Sequence, residues 1–589
     1  MDPSSDAEGK SPAVMSSGVF SKRPTSRADL DAAIGVVSEK AREFARLAPA
    51  KKAELLRECA GRLHSVAADW TRAACEAKGI SFDQPIAGEE WLAGPVVTIR
   101  NARLLATSLE DIAKYGSPQT GLKIGERPDG RVEFGVFPTS AHDSALFAGF
   151  RASVLAEPHV TLEQVERGCA RAGYYAHREP GGKTALILGA GNVSSIPAMD
   201  ALALMFVSGC VCILKMNPVN EWAGPFIAAG LEPLVSRGYL RVVYGGAEEG
   251  AYLCDHPAFC RIHITGSDKT HDRIVWGPPG PEQGRRKRLG AAVCTKLVTS
   301  ELGNVSPVVI VPAAYSPKQL DFMARNVASM VANNASFNCN AAKVIVTSGG
   351  WAQHGEFLKL LGTALDAIPQ RLAYYPGATD RFRALLASRS ERMLLAFGRP
   401  SPGSLPWTIV TGIDPASDDP LFRIEPFCSL VAETSLPEDD PVSFLRAATD
   451  FCNLRLWGTL NACLMVHPLH ERDAAVADAL DRSILDLRYG TVAINHWPGL
   501  GYGLVSPPWG GHPSSRPHDI QSGYGWVHNT FMLGPIEKTV LRGPLVVSPK
   551  PPWFCDHRRS AAVARRLVDF EAAPRWRKIP GIAWNALRG

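Results

Sequence analysis

The stretch TALILGAGNVSSIPAMDALALMFVSGCVCILK, residues 184–215, consists of two apolar runs separated by a glycine turn and a helical pattern. The first run, 185–188, ends on Gly189-Ala190-Gly191-Asn192, and the second, 211–214, ends on Lys215. A short uninterrupted apolar run reads as a strand buried on both faces, and strand–helix–strand is the unit of a parallel sheet. The alternation recurs at 241–244, 261–264, 308–311 and 344–346. It predicts an α/β fold, doubly wound, in two such units. Upstream, Ser26 and Asp29 resemble a capping pair, and Leu30, Ile34, Val37, Ala41 and Phe44 repeat at helical spacing. Pro49 then opens a second helix. Residues 125–160 show no clear period, and 277–290, with Pro278, Pro279 and Arg285 to Arg288, read as a basic surface loop.

Composition bounds the function. The 589 residues are 46% apolar and 21% charged, which excludes a disordered, collagen-like or coiled-coil chain. Net charge is +5, but residues 550–589 alone hold nine basic and three acidic side chains, leaving a nearly neutral body. Such a body has no nucleic-acid footprint, and the tail reads as a solvated basic surface. Residues 1–27 contain no apolar core of a secretory signal. The longest apolar stretch, 196–214, is interrupted by Asp200, so no membrane span is expected. Thirteen cysteines show neither a pairing framework nor zinc spacing. We expect a cytoplasmic protein with reduced thiols and no metal site. His263 reads as structural, and His512, His518 and His528 read as polar loop residues.

Three places offer chemistry. Cys339 ends Asn333-Asn334-Ala335-Ser336-Phe337-Asn338-Cys339 and precedes a strand, where free backbone N–H groups favour a nucleophile. Glu301, in Glu301-Leu302-Gly303-Asn304, stands before the strand 308–311 and suits a general base. Gly189-Ala190-Gly191 lacks the third glycine of the dinucleotide fingerprint, whose place Ser194 takes, and no ribose-binding acid follows it. Read alone, each is also compatible with a structural role.

In combination and order these features resemble the aldehyde dehydrogenase superfamily. Asn192 stands where the family's asparagine follows a strand, and Lys215 ends the next strand 23 residues later. Ile264-Thr265-Gly266-Ser267 resembles Phe-Thr-Gly-Ser, and Glu301 to Pro307 resembles Glu-Leu-Gly-Gly-Lys-Ser-Pro. Cys339 follows Glu301 by 38 residues, and Ile424-Glu425-Pro426-Phe427 resembles the Glu-x-Phe segment. Gly490 to Asn495 and Pro508-Trp509-Gly510-Gly511 resemble the late segments. The departures are Pro218 in place of a glutamate, Val305 in place of the lysine, and Ser336 in place of a glycine.

The resemblance implies two doubly wound domains plus a β oligomerisation arm. It places an NAD(P)-binding domain at 20–164 with 183–300, a catalytic domain at 301–525, and the arm at 165–182 with 526–549. A leader, 1–19, and a basic extension, 550–589, flank them. It implies oxidation of a small-molecule aldehyde to an acid, with Cys339 as nucleophile, Glu301 as base, and Asn192 stabilising the oxyanion. Lys215, Gly266, Ser267, Glu425 and Phe427 would bind NAD or NADP, and the assembly would be a homodimer or homotetramer. Two other readings remain: an acylating or acyl-reducing relative, and a catalytically silent scaffold. Glu301 favours hydrolysis over acyl transfer to a carrier.

Overall fold

Ser26 accepts a hydrogen bond from the Asp29 N–H (3.2 Å) and starts the helix Arg27–Arg46, whose buried stripe is Leu30, Ile34, Val37, Ala41 and Phe44. Pro49 occupies the first turn of the next helix, Pro49–Ala77. A third long helix, Val97–Tyr115, stops where Gly116 turns left-handed (φ 83°). The computed structural model describes residues 22–167, 173–176, 181–399 and 401–589. The expected leader 1–19 lies outside them.

The first helix covers the strands Lys183–Leu188 and Cys210–Lys215 of a six-stranded sheet. Its order is Gly523–Tyr524, Leu297–Leu302, Arg261–Gly266, Lys183–Leu188, Cys210–Lys215, Leu240–Val243. All neighbours are parallel except the short first strand. From Lys183–Leu188 the chain winds first one way and then, at Arg261–Gly266, the other. The loops beyond these two strands diverge there, the place where doubly wound sheets bind ligands.

The second sheet has eleven strands. Pro307–Ile310 is its first central strand, joined to Leu297–Leu302 through Gly303 to Ser306, so Glu301 sits where one sheet hands over to the other. Parallel strands flank it on both sides, Asn461–Met465 on one and Val344–Ser348 on the other.

Three expectations need correction. Residues 123–156 do not belong with the NAD(P)-binding domain. They form the strands Lys123–Glu126, Val132–Phe137 and Arg151–Ala156, which extend the eleven-stranded sheet. Arg151–Ala156 pairs antiparallel with Ile536–Arg542, which pairs in parallel with Thr491–Ile494. The arm therefore combines 123–156 with 536–542. The described part of 165–182 carries only short helical turns, Leu162–Glu166 and Gly173–Ala176. The physical reason is burial: Ala152, Val154 and Ala156 enter the same core as Val132, Phe134, Ile536 and Leu541.

The stretch 277–290 contains the helix Pro281–Leu289, with Pro281 in its first turn and left-handed Gly290 (φ 65°) closing it. Glu282 bridges Arg285 and Arg286 along that helix and organises the basic cluster.

The extension 550–589 is part of the body. Ser560–Ala572 buries Ala561, Val563, Ala564, Leu567, Val568 and Phe570 in the core that holds Trp70, Trp91 and Leu105. Its basic residues form the outer face of an amphipathic helix. Glu571 closes a buried network there. Arg100 Nη1 donates to Glu571 (2.9 Å) and to Asp143 (3.0 Å), and Arg103 also pairs with Glu571. Removing one member of a buried ion network strands its partners. We expect Glu571→Ala to destabilise the fold by about 3 kcal/mol, read from urea unfolding, with Glu571→Gln recovering part of the loss. No helix of the described residues is long and apolar enough to cross a membrane.

Candidate functional site

At the switch point lies a cleft of about 1120 Å³. Asn192, Lys215, Gly266, Ser267, Glu301, Cys339, Glu425 and Phe427 all line it. Every site residue expected from sequence is thus brought to one cavity, from segments spread over more than two hundred residues. Gly191 and Asn192 come from the turn after Lys183–Leu188, and Lys215 ends the adjacent strand. Ser267 caps the helix Asp268–Trp276, accepting from the Thr270 N–H (3.2 Å), so its first-turn N–H groups face the cleft. Gly303 is required by close approach: a Cβ there would stand 2.1 Å from Glu425 Oε2.

The nucleophile loop is held in an unusual shape. Asn334, Ala335 and Ser336 are left-handed in succession (φ 52°, 55° and 69°). Asparagine tolerates that region, whereas alanine and serine pay roughly 1–2 kcal/mol each. Asn334 compensates with a full set of bonds. Its amide nitrogen donates to the carbonyls of Phe337 (3.0 Å) and Asn192 (3.1 Å). Its side-chain oxygen accepts from Lys78 Nζ (2.9 Å) and the Tyr374 hydroxyl (3.0 Å). Lys343, fully buried, donates to the Ser336 carbonyl (2.8 Å) and hydroxyl (3.1 Å). The Cys339 carbonyl is pinned by Ser306 Oγ (3.1 Å). We expect Asn334→Ala to cost about 3 kcal/mol or more, because it strands buried partners and leaves the left-handed turn unsupported. Denaturant unfolding measures it.

Asn192 Nδ2 donates to the Phe337 carbonyl (2.9 Å). One of its two amide hydrogens is therefore engaged on the nucleophile loop, and the second remains available. Cys339 and Glu301 line the same cleft, close enough for each to act on the other's proton affinity. Burial pushes the Cys339 thiol up, and the Glu301 charge adds to that. Burial also lifts Glu301 to about 8; the carboxylates of Asp200 and Glu425 raise it further, while the Cys339 contact opposes. Glu425 rises to about 7 through burial, opposed by the Lys343 ammonium. At neutral pH the pair is a thiol beside a carboxyl close to losing its proton.

A model of the aldehyde dehydrogenase family matches residues 138–371. The eleven- and six-stranded architecture also aligns with solved enzymes. Glyceraldehyde-3-phosphate dehydrogenase GapN from Methanocaldococcus jannaschii, solved with NADP, matches with TM-score 0.58 at 14% identity, covering 89% of this chain and 96% of that one. The aldehyde dehydrogenase KauB from Pseudomonas aeruginosa matches with TM-score 0.59 at 16% identity, covering 87% and 88%. Residues 138–371 thus match the aldehyde dehydrogenase family, and the chain shares the fold of solved aldehyde dehydrogenases. Within that family, 4-trimethylaminobutyraldehyde dehydrogenase A of Danio rerio is 32% identical over 137 residues, 23% of this chain and 24% of that protein. Betaine aldehyde dehydrogenase 1 of Oryza sativa subsp. japonica is 30% identical over 142 residues, 23% and 25%. The matched stretch thus spans about a quarter of these curated relatives' length.

Several residues around the site escape a reading of sequence. Asp200 accepts from the Thr265 hydroxyl (2.9 Å) behind Glu301, and His263 stands 3.6 Å from it. Lys343, Tyr374 and Arg371, which binds Glu89 (2.9 Å), support the nucleophile loop from a distance in sequence. Only Asn333-Asn334 carried a signal, since paired asparagines favour left-handed turns. His528, read as a polar loop residue, is buried.

Proposed function

We propose that this chain oxidises an aldehyde to a carboxylic acid through a covalent Cys339 intermediate, with NAD or NADP as hydride acceptor. The observation that carries the reading is the placing of Cys339 and Glu301 in one cleft whose other walls suit a dinucleotide. The fit rests on this chain's own atoms. Glu425 Oε1 is buried with no partner in the protein, suited to a ribose hydroxyl. Gly266 and Ser267 border a helix N-terminus suited to a pyrophosphate, and Lys215 suits the adenosine ribose. When bound, the nicotinamide supplies the two-electron acceptor.

Cys339 loses its proton to solvent as the sulfur adds to the aldehyde carbon. Negative charge on the resulting oxygen meets the Cys339 backbone N–H and the second Asn192 amide hydrogen. Departure of hydride from that carbon leaves a thioester on Cys339. Glu301, as a carboxylate, takes a proton from water as the hydroxyl adds. The carbon–sulfur bond then breaks, the acid leaves, and Cys339 regains a proton. A base placed at the sulfur favours hydrolysis over transfer to a carrier. Assembly as a homodimer or homotetramer belongs to the same reading; the exposed edge strand Lys123–Glu126 offers unpaired backbone for it.

The test is cofactor reduction by the purified chain, with NAD and NADP in parallel. The aldehydes are 4-trimethylaminobutyraldehyde, betaine aldehyde and a series of alkyl and aromatic compounds. Reduction with free acid as product is expected. No reduction with any aldehyde overturns the reading.

A further inference from the structure

The apolar cluster of Ala203, Leu460, Trp509 and Val527 carries both Cys339 and Tyr502. Tyr502 packs with Cys339, Leu460 and Trp509 on one side. On the other it packs with Val97, Leu104, Met199 and Val505. Its hydroxyl meets Ser195 Oγ at 2.8 Å. The His528 ring lies 4.4 Å from the Tyr502 ring, centroid to centroid, and neither of its nitrogens has a partner. Asn101 lies one helical turn from both Val97 and Leu104, on the same face of Val97–Tyr115. The opposite face, Ile99, Ala102, Leu105 and Leu109, enters a different core. Asn101 is fully buried, and neither atom of its amide is hydrogen-bonded.

Unpaired polar groups of this kind destabilise a core unless something satisfies them in use. Leucine at 101 and phenylalanine at 528 would fit the apolar surroundings better. The wall also stores strain: Val505, β-branched, has φ 66° and ψ −34°. Its charge is equally informative. Burial lowers His528 to about 3, so the ring is neutral. Arg100, the cation beside Asn101, is occupied by Asp143, Glu571 and the Leu504 carbonyl (2.9 Å). The region therefore presents neutral donors and acceptors beside the Asp200 and Glu301 carboxylates that act on Tyr502, and among the described residues no unpaired cation for a carboxylate or phosphate.

We propose that Asn101 and His528 form the tail-recognition site for the aldehyde, and that the substrate is an aldehyde bearing a hydroxyl group. This rests on the function proposed above and narrows it to a substrate class. Asn101 offers a donor and an acceptor to that hydroxyl, and His528 offers one ring nitrogen of each kind. An alkyl aldehyde entering the same place leaves these groups unpaired, and such a mismatch discriminates strongly. Tyr502 packs across this place. It lies between Gly501 and Gly503 in the helix Gly499–Leu504, and the two glycines give its backbone freedom to swing the ring aside.

The test separates binding from turnover. Calorimetry on the full-length Cys339→Ala protein compares 3-hydroxybutanal with butanal, which differ by one hydroxyl. The hydroxyaldehyde is expected to bind about 10- to 100-fold tighter. Adding Asn101→Leu or His528→Phe, each of which fills its site with an apolar group, brings the ratio toward one. A melting temperature at or above that of the parent shows that each variant is folded. Equal binding of the two aldehydes to Cys339→Ala overturns the proposal, as does a ratio that survives both substitutions. Failure of the wild-type chain to reduce either cofactor with any aldehyde counts against the proposed function instead, and the binding ratio can still be read.

Discussion

A Cys339→Ala protein is expected to lose aldehyde oxidation by at least about 10⁴-fold, the scale seen when a covalent nucleophile is deleted from an otherwise intact site. The reason is positional. No second thiol can substitute, because among the cleft-lining residues the other cysteine is Cys254, at the Lys215 end. Cys254 is also pushed up to about 12 by burial. The substitution removes one sulfur from a loop held by backbone and by Asn334, Lys343 and Ser306, so the fold should survive. Cofactor-induced stabilisation, read as a shift in melting temperature, should therefore persist while hydride transfer disappears. Loss of both would show that Cys339 holds the cleft together and would remove the ground for calling it the nucleophile. Full retention of activity would place the nucleophile elsewhere.

Much of this architecture is visible in short-range pattern. Uninterrupted apolar runs mark 185–188 and 211–214 because such strands are buried on both faces, and the structure contains them as Lys183–Leu188 and Cys210–Lys215. The cleft residues were visible for a similar reason. Lys215 ends a strand and Ser267 caps a helix, and the neighbours of the others must satisfy strict local geometry, as at Gly303. What stayed hidden depends on partners far along the chain. Arg151–Ala156 has no marked alternation of its own; its strand character comes from Ile536–Arg542, almost four hundred residues on. The charge of 550–589 masked the apolar stripe of Ser560–Ala572, since counting charge says nothing about which face carries it. Asn101 and His528 are polar residue types, and polarity alone predicts exposure. Only the three-dimensional packing shows that both are buried and unpaired.

Glu301→Gln should divide the reaction in two. Glutamine keeps the shape and can still contact the Cys339 thiol, but it accepts no proton from water. A single burst of reduced cofactor, stoichiometric with Cys339, is expected, followed by steady turnover lowered about 10²- to 10⁴-fold. The pH dependence follows from the charge state of the wild-type carboxyl. Glu301 is raised from its ordinary value of 4.5 to about 8, mainly by burial. A raised carboxyl holds its proton at neutral pH and becomes a base only as pH climbs. Wild-type turnover should therefore rise with pH and reach half its plateau near pH 8, about where the carboxyl titrates. Asp200 contributes to that elevation through like charge, so Asp200→Asn should move the midpoint downward. Because the Asp200 carboxylate also takes the Thr265 hydroxyl, the readout must be the position of the limb and not its height. A merely structural defect would lower the plateau at every pH and leave the midpoint in place. A wild-type profile that is flat from pH 6 to 9, spanning the value near 8, would show that Glu301 does not limit the reaction. Unchanged steady turnover in Glu301→Gln would assign the base to another group. A burst that recurs when a carrier thiol is added to that variant would instead support acyl transfer, since a thiol attacks the thioester without the base that water requires.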